Sequence, residues 1–173
     1  MRHLLTILCA LTTLFICNGC GSFSGNYSLS GSSINKEWET LYIAQIPNNA
    51  LLQEPSLSQD LHLAFQDVFR NRTKLALTNT EESDLIIEAE IVSYDVAATA
   101  IQSNDVAANN RLTVGVKVRY INNKDESKSF DRTFSAYDEF PGTQTLSDAQ
   151  SSILPGIINL IRDQVFAAIA MDW

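Results

Sequence analysis

The sequence has 173 residues, 45% of them hydrophobic, with 20 acidic side chains against 12 basic ones and a formal net charge of −8. That is one domain's worth of chain, able to bury a core without disulfide or metal support. The acidic balance excludes general affinity for nucleic acid or anionic membranes, where Lys or Arg must meet each phosphate.

Met1-Arg2-His3 and the apolar run from Leu4 to Ile16 form a charged n-region and an h-region. The run is shorter than the about 20 apolar residues of a permanent span. Gly19 then precedes Cys20, as in a lipoprotein signal, where the cysteine is acylated and becomes the new N-terminus. Cys17 and Asn18 stand where such signals usually carry Leu and a small residue, so ordinary secretory cleavage is the competing reading. The expected organisation is a signal peptide over residues 1–19, lipid on Cys20, a flexible Ser/Gly-rich tether over 20–36 and a single domain over 37–173. Processing removes Cys9 and Cys17, leaving one thiol and no internal disulfide. No acidic residue follows Cys20 at Gly21 or Ser22. Retention at the inner membrane favours Asp there, so the expected destination is the outer membrane.

Leu41, Ile43 and Ile46 predict a first strand, stopped by Pro47-Asn48-Asn49. Ser56 with Gln59 reads as a capping box. Leu57, Leu61, Ala64, Phe65, Val68 and Phe69 then form one stripe of helical period, with Arg70, Arg72 and Lys74 at the C-terminal end. A short strand over Leu75 to Asn79 and the acidic turn Glu81-Glu82-Ser83-Asp84 follow.

A β-meander comes next. Leu85 to Val96 alternates, with Glu88, Glu90, Val92 and Tyr94 on one face; Arg111 to Ile121 alternates more cleanly; Ser127 to Tyr137 carries Phe130 and Phe134. Centring the first hairpin near Ser103-Asn104 sets Glu88 opposite Arg119 and Glu90 opposite Lys117. Aligning Phe130 with Val118 and Phe134 with Val114 sets Asp131 opposite Lys117. These pairings take Lys117 and Arg119 out of the candidate ligand groups. Arg132 shares the face of Phe130 and Phe134, which places it near the sheet edge, paired, or turned out by a bulge.

The C-terminal helix opens with a second apparent capping box, Ser147 with Gln150, and either kinks or restarts at Pro155-Gly156. Arg162 and Asp163 argue against a membrane span. Ile153, Ile157 and Leu160 do not share a stripe with Leu154, Ile158, Ile161, Val165 and Ile169. The excess is either a partner surface, formed by Ile153, Ile157 and Leu160, or a helix buried between sheet and first helix.

Catalytic equipment is sparse. After processing, His62 is the sole histidine, and it lies within the first helix pattern as a structural or surface residue. No Cys-His pair, H-E-x-x-H, phosphate loop or G-x-S-x-G is present. The acidic turn lacks the spaced oxygens and glycine of a calcium loop. No cofactor or metal is expected, and no enzymatic role.

A resemblance rests on several short elements in order: the lipoprotein cysteine with its Ser/Gly-rich leader, Ile46-Pro47-Asn48, Pro55-Ser56-Leu57-Ser58, and the stretch Ala107-Ala108-Asn109-Asn110-Arg111-Leu112-Thr113. Phe134-Ser135-Ala136-Tyr137 and the terminal helix ending in Trp173 complete it. Together they resemble the divergent, non-enterobacterial branch of the LptE family of lipopolysaccharide-assembly lipoproteins. The resemblance implies an α+β two-layer sandwich: a mostly antiparallel four-stranded sheet with two helices packed on one face. It also implies a lipid anchor on the periplasmic face of the outer membrane and a role as plug and folding partner of an LptD-type β-barrel. Lipopolysaccharide is a further expected ligand, for which Arg111 and Arg132 are the candidate phosphate contacts. The competing expectation is a lipoprotein subunit, or lipid-binding carrier, of another envelope complex.

Overall fold

The computed structural model describes residue 34, residues 37–99 and residues 109–170. The signal peptide, Cys20, most of the tether, the tip of the first hairpin and Trp173 lie outside the described residues. Strands β1 (Thr40–Ile43), β2 (Ala76–Thr78), β3 (Leu85–Thr99), β4 (Asn109–Asn122) and β5 (Phe130–Pro141) form one sheet. Helix α1 (Leu57–Arg72) lies between β1 and β2 in the chain, and α2 (Leu146–Ala170) follows β5. The spatial order is β2-β1-β3-β4-β5.

The sheet is five-stranded and mixed, where four mostly antiparallel strands were expected. β1 runs parallel to both β2 and β3, while β3, β4 and β5 form the antiparallel meander. The cause is α1, a crossover that returns the chain in its original direction, so β1 and β2 pair in parallel. Because β2 is so short, the turn from Asn79 to Asp84 suffices to carry the chain past β1 into β3. Asp84 anchors that turn. Its carboxylate accepts hydrogen bonds from the Glu39 and Thr40 amides at 2.8 and 3.1 Å and pairs with Lys124 at 3.2 Å. Led by the Glu39 amide, and against burial, these contacts hold its pKa at about 2.

One face of the sheet is apolar and both helices cover it. Leu41, Leu85, Ile87, Ile91, Leu112, Val114, Val116 and Val118 are buried there, under Leu57, Leu61, Phe65 and Phe69 of α1 and Ile157, Ile161 and Val165 of α2. The Phe69 and Phe166 rings join the two helices with centroids 5.4 Å apart.

The β3–β4 register pairs Glu88 with Arg119 and Glu90 with Lys117, as the alternation predicts. A bulge between Ile91 and Ser93 then shifts it by one residue. Tyr94, expected beside Glu88 and Glu90, turns to the core face and is 3% exposed, while Val92 remains outside. Gly115 is the partner of Ser93, and a Cβ there would come within 2.5 Å of the Ser93 hydroxyl, so glycine gives the bulge its room.

The β4–β5 register is displaced by two residues from the expected one. Phe130 faces Tyr120 and Phe134 faces Val116, which stacks the Tyr120, Phe130 and Phe134 rings along one face. Asp131 lies opposite Arg119 yet still reaches Lys117 diagonally at 3.2 Å. Both expected capping boxes are also corrected. Ser56 makes no side-chain cap; its hydroxyl turns back to Glu54. Helix α2 is capped two residues earlier than expected, by Thr145, whose Oγ1 accepts from the Asp148 amide and donates to its carboxylate. Pro155 neither breaks nor restarts α2, which is one continuous helix. It sits on the exposed side, where water can satisfy the carbonyl it leaves unpaired.

Candidate functional site

The two arginines singled out in the sequence do not converge. Arg111 lies on the open face of the sheet opposite Glu139, and its Nε and Nη2 both donate to Glu139 Oε1 at 3.2 and 2.7 Å. Its guanidinium also stacks 4.2 Å from the Tyr137 ring centre. The Glu139 bond raises its pKa further, so Arg111 is a permanent but locally compensated cation. Arg132 lies towards the other end of β5, opposite Val118 on the helix-covered face. It is exposed at the sheet edge, with its guanidinium 4.8 Å from the Phe130 ring, and no carboxylate among the described residues pairs with it.

The rest of the open face is a lattice of compensated charge. Arg119 meets Glu88 at 3.4 Å, Lys117 meets Asp131, and Glu90 accepts from the Asn49 amide at 2.6 Å. These pairs are half exposed and individually weak. Collectively they leave no uncompensated cation among the described residues of that patch.

The expected partner surface on α2 divides. Ile153 and Ile157 belong to the core, at 7% and 0% exposure, because α2 packs against the sheet and α1 at the same time. That corrects the expectation for both residues. Leu160 is 52% exposed. It shares a helix stripe with Gly156, which lies close to the Asp138 carboxylate, and with Gln164, whose amide donates to the Ser135 carbonyl at 3.3 Å. Leu160 therefore stands on the flank of α2 that overlooks the edge strand β5.

Sequence reasoning missed another apolar feature. Leu51 and Leu52, in the loop entering α1, are 100% and 53% exposed. The signal available was two adjacent leucines outside any strand or helix period, just after a Pro-Asn-Asn stop. Near them, Leu154, Pro155 and Ile158 line a groove of about 240 Å³ between the helices, with Glu54 and Asp60 also lining it. His62 is a buried structural residue, as the sequence reading allowed. Its Nδ1–H donates to the Ala44 carbonyl at 3.1 Å, and its Nε2 accepts from the Gln66 amide at 2.9 Å. Among the described residues no group of His, Cys, Asp and Glu is arranged to hold a metal ion. Helix α2 is long and apolar enough to cross a membrane, but its apolar side packs within the domain.

A mixed sheet covered on one side by two helices, with charge pairs on its open side and isolated leucines at its margins, defines a two-layer α+β domain that presents surfaces for contact. Similar folds occur in a minor lipoprotein from Acinetobacter baumannii (12% identity, TM-score 0.50, 75% of this chain and 90% of that one). A Xanthomonas campestris protein (12%, 0.51, 76% and 85%) and a neuraminyllactose-binding hemagglutinin homolog from Helicobacter pylori (11%, 0.53, 80% and 87%) share it too. At such identities these likenesses show the fold alone. A search of curated proteins found no match. The chain belongs to the LptE family of lipopolysaccharide-assembly proteins, whose family model matches residues 38–170.

Proposed function

We propose that this protein is a non-enzymatic lipoprotein of the outer membrane, held on the periplasmic face by lipid on Cys20. There it serves lipopolysaccharide assembly as plug and folding partner of an LptD-type β-barrel. The observation that carries this reading is the family match, which spans the domain from just before β1 to the end of α2. The exported-cysteine pattern of residues 1–20 supports the anchor, and the exposed Leu160, Leu51 and Leu52 supply apolar contact points. An acidic domain with mostly paired cations is poorly suited to general capture of anionic lipid, which favours a protein partner as the principal contact. Tagged protein purified from outer membranes should retain a large β-barrel of the LptD type, and its depletion should reduce surface lipopolysaccharide. A normal lipopolysaccharide surface after full depletion would remove this reading.

A further inference from the structure

A second concave site lies away from the α2 flank and from both arginines discussed above. His62, Gln66 and Arg70 follow one another at four-residue spacing on α1, so they share one side of the helix. That side faces the carboxyl ends of the parallel strands β1 and β2 across a cleft of about 430 Å³. Tyr42, Gln45, Thr78 and Asn79 supply the opposite wall. In open parallel α/β sheets ligands bind in the crevice outside the carboxyl ends of the strands, and this cleft occupies the corresponding place at the parallel edge of the sheet.

The cleft has two unusual properties for this chain. Although the sequence holds 20 acidic residues, no carboxylate among the described residues lines it. Arg70 has no ion pair or side-chain hydrogen bond among the described residues, whereas Arg72, two positions further along, reaches Asp163 at 3.7 Å. The buried His62 also orients its neighbour. With Nδ1–H spent on the Ala44 carbonyl, Nε2 accepts from the Gln66 amide nitrogen, which leaves the Gln66 oxygen as a fixed acceptor for something else.

We infer that this cleft binds a single hydroxylated ring bearing one anionic group, a phosphate or carboxylate. Arg70 meets the anion, while Gln66, Gln45 and Asn79 exchange hydrogen bonds with ring hydroxyls. The amides are both donors and acceptors, as hydroxyls require, and the cleft is of a size usual for small ligands. Its polar walls do not suit an acyl chain. The inference goes beyond the assembly reading and does not rest on it.

Amide NMR titrations of the purified protein test it, with glucose 1-phosphate, glucose and inorganic phosphate as probes. Glucose 1-phosphate should shift the Gln66, Arg70 and Asn79 amides saturably, with glucose and phosphate each weaker by about tenfold or more, the scale of one charge-assisted hydrogen bond. Arg70→Gln should reduce the glucose 1-phosphate affinity to that of glucose and leave glucose unchanged. Asn79→Ala, in a loop outside the core, should weaken both sugars without disturbing the His62 chain. Vesicles of phosphatidylcholine doped with phosphatidylinositol separate the sources: competition with glucose 1-phosphate assigns a lipid-borne ring, and its absence a free one. Absence of saturable shifts at the cleft, phosphate binding as tightly as glucose 1-phosphate, or an Arg70→Gln protein with unchanged affinity would each overturn the assignment.

Discussion

Asp84 offers the most quantitative test of how the parallel edge of the sheet is held. One carboxylate gathers the Glu39 and Thr40 amides at the start of β1 and the Lys124 ammonium from the β4–β5 turn. Its pKa falls from the ordinary 3.8 to about 2, and each pKa unit corresponds to about 1.4 kcal/mol, so the ceiling on its ionised contribution is about 2.5 kcal/mol. Lys124 is half exposed, and its share is screened by water, which brings the expected value to about 1–2 kcal/mol. The folded-state pKa is depressed, so the contribution is complete above the unfolded value and disappears as pH falls through the folded one. About half should be gone by about pH 3 and most of it by about pH 2. Urea unfolding of the Cys20→Ser protein, with and without Asp84→Asn, measures this as a difference in which the other carboxylates cancel. The stability gap between the two proteins should be widest near neutrality and shrink between pH 4 and pH 2. A gap that stays constant over that range would refute the assignment of these bonds to the ionised carboxylate.

Other consequences can be checked on the same protein. Gly115→Ala drives a methyl into the Ser93 hydroxyl and should cost about 1–3 kcal/mol by urea unfolding, with much of the loss recovered in the Ser93→Ala background. Ile157→Ala removes a fully buried side chain and should cost about 2–5 kcal/mol, measured the same way. Leu160→Asp should change stability by no more than about 0.5 kcal/mol and reduce recovery of the proposed barrel partner in pull-downs from outer membranes. Cys20→Ala should leave urea unfolding unchanged but release the protein from the membrane fraction, lowering assembly efficiency through the loss of local concentration.

Much of the fold was legible in the sequence because burial enforces period. Leu112, Val114, Val116, Val118 and Tyr120 alternate without exception and are all buried, and the α1 stripe is equally clear. The pattern fails where two answers share a period. Moving β5 by two residues keeps Phe130 and Phe134 on the same face, and Asp131 finds Lys117 either way, so neither apolar nor charge matching could distinguish the registers. The bulge at Val92 was hidden for the opposite reason: Glu88, Glu90, Val92 and Tyr94 extend an alternation that the backbone interrupts. Capping signals misled because Ser-x-x-Gln occurs near both helix starts, yet Ser56 already has a helical backbone conformation and Ser147 lies inside its helix, so neither caps. The parallel edge was invisible, since nothing local in Leu41 or Leu77 states which neighbour a strand will choose. The cleft beside Arg70 was missed because its walls come from three separate segments.

The abundance of apolar residues in α2 follows from where the helix lies. It covers β4 and β5 on one side and α1 on another, and two neighbours at an angle require two adjacent stripes. Phe166 meets Phe69 of α1, and Leu154 and Ile158 line the groove facing Ser56 and Asp60, so this stripe belongs to the helix pair. Ile153, Ile157 and Ile161 fall on the neighbouring stripe and are buried. Excess hydrophobicity summed over α2 is therefore a property of its position in the fold and carries no information about a partner. The large exposed apolar side chain on α2 is Leu160, on a third stripe through Gly156 and Gln164 beside β5, an edge strand among the described residues. A partner that engages Leu160 must approach along that flank, and its contact must combine one exposed leucine with the polar edge of a strand.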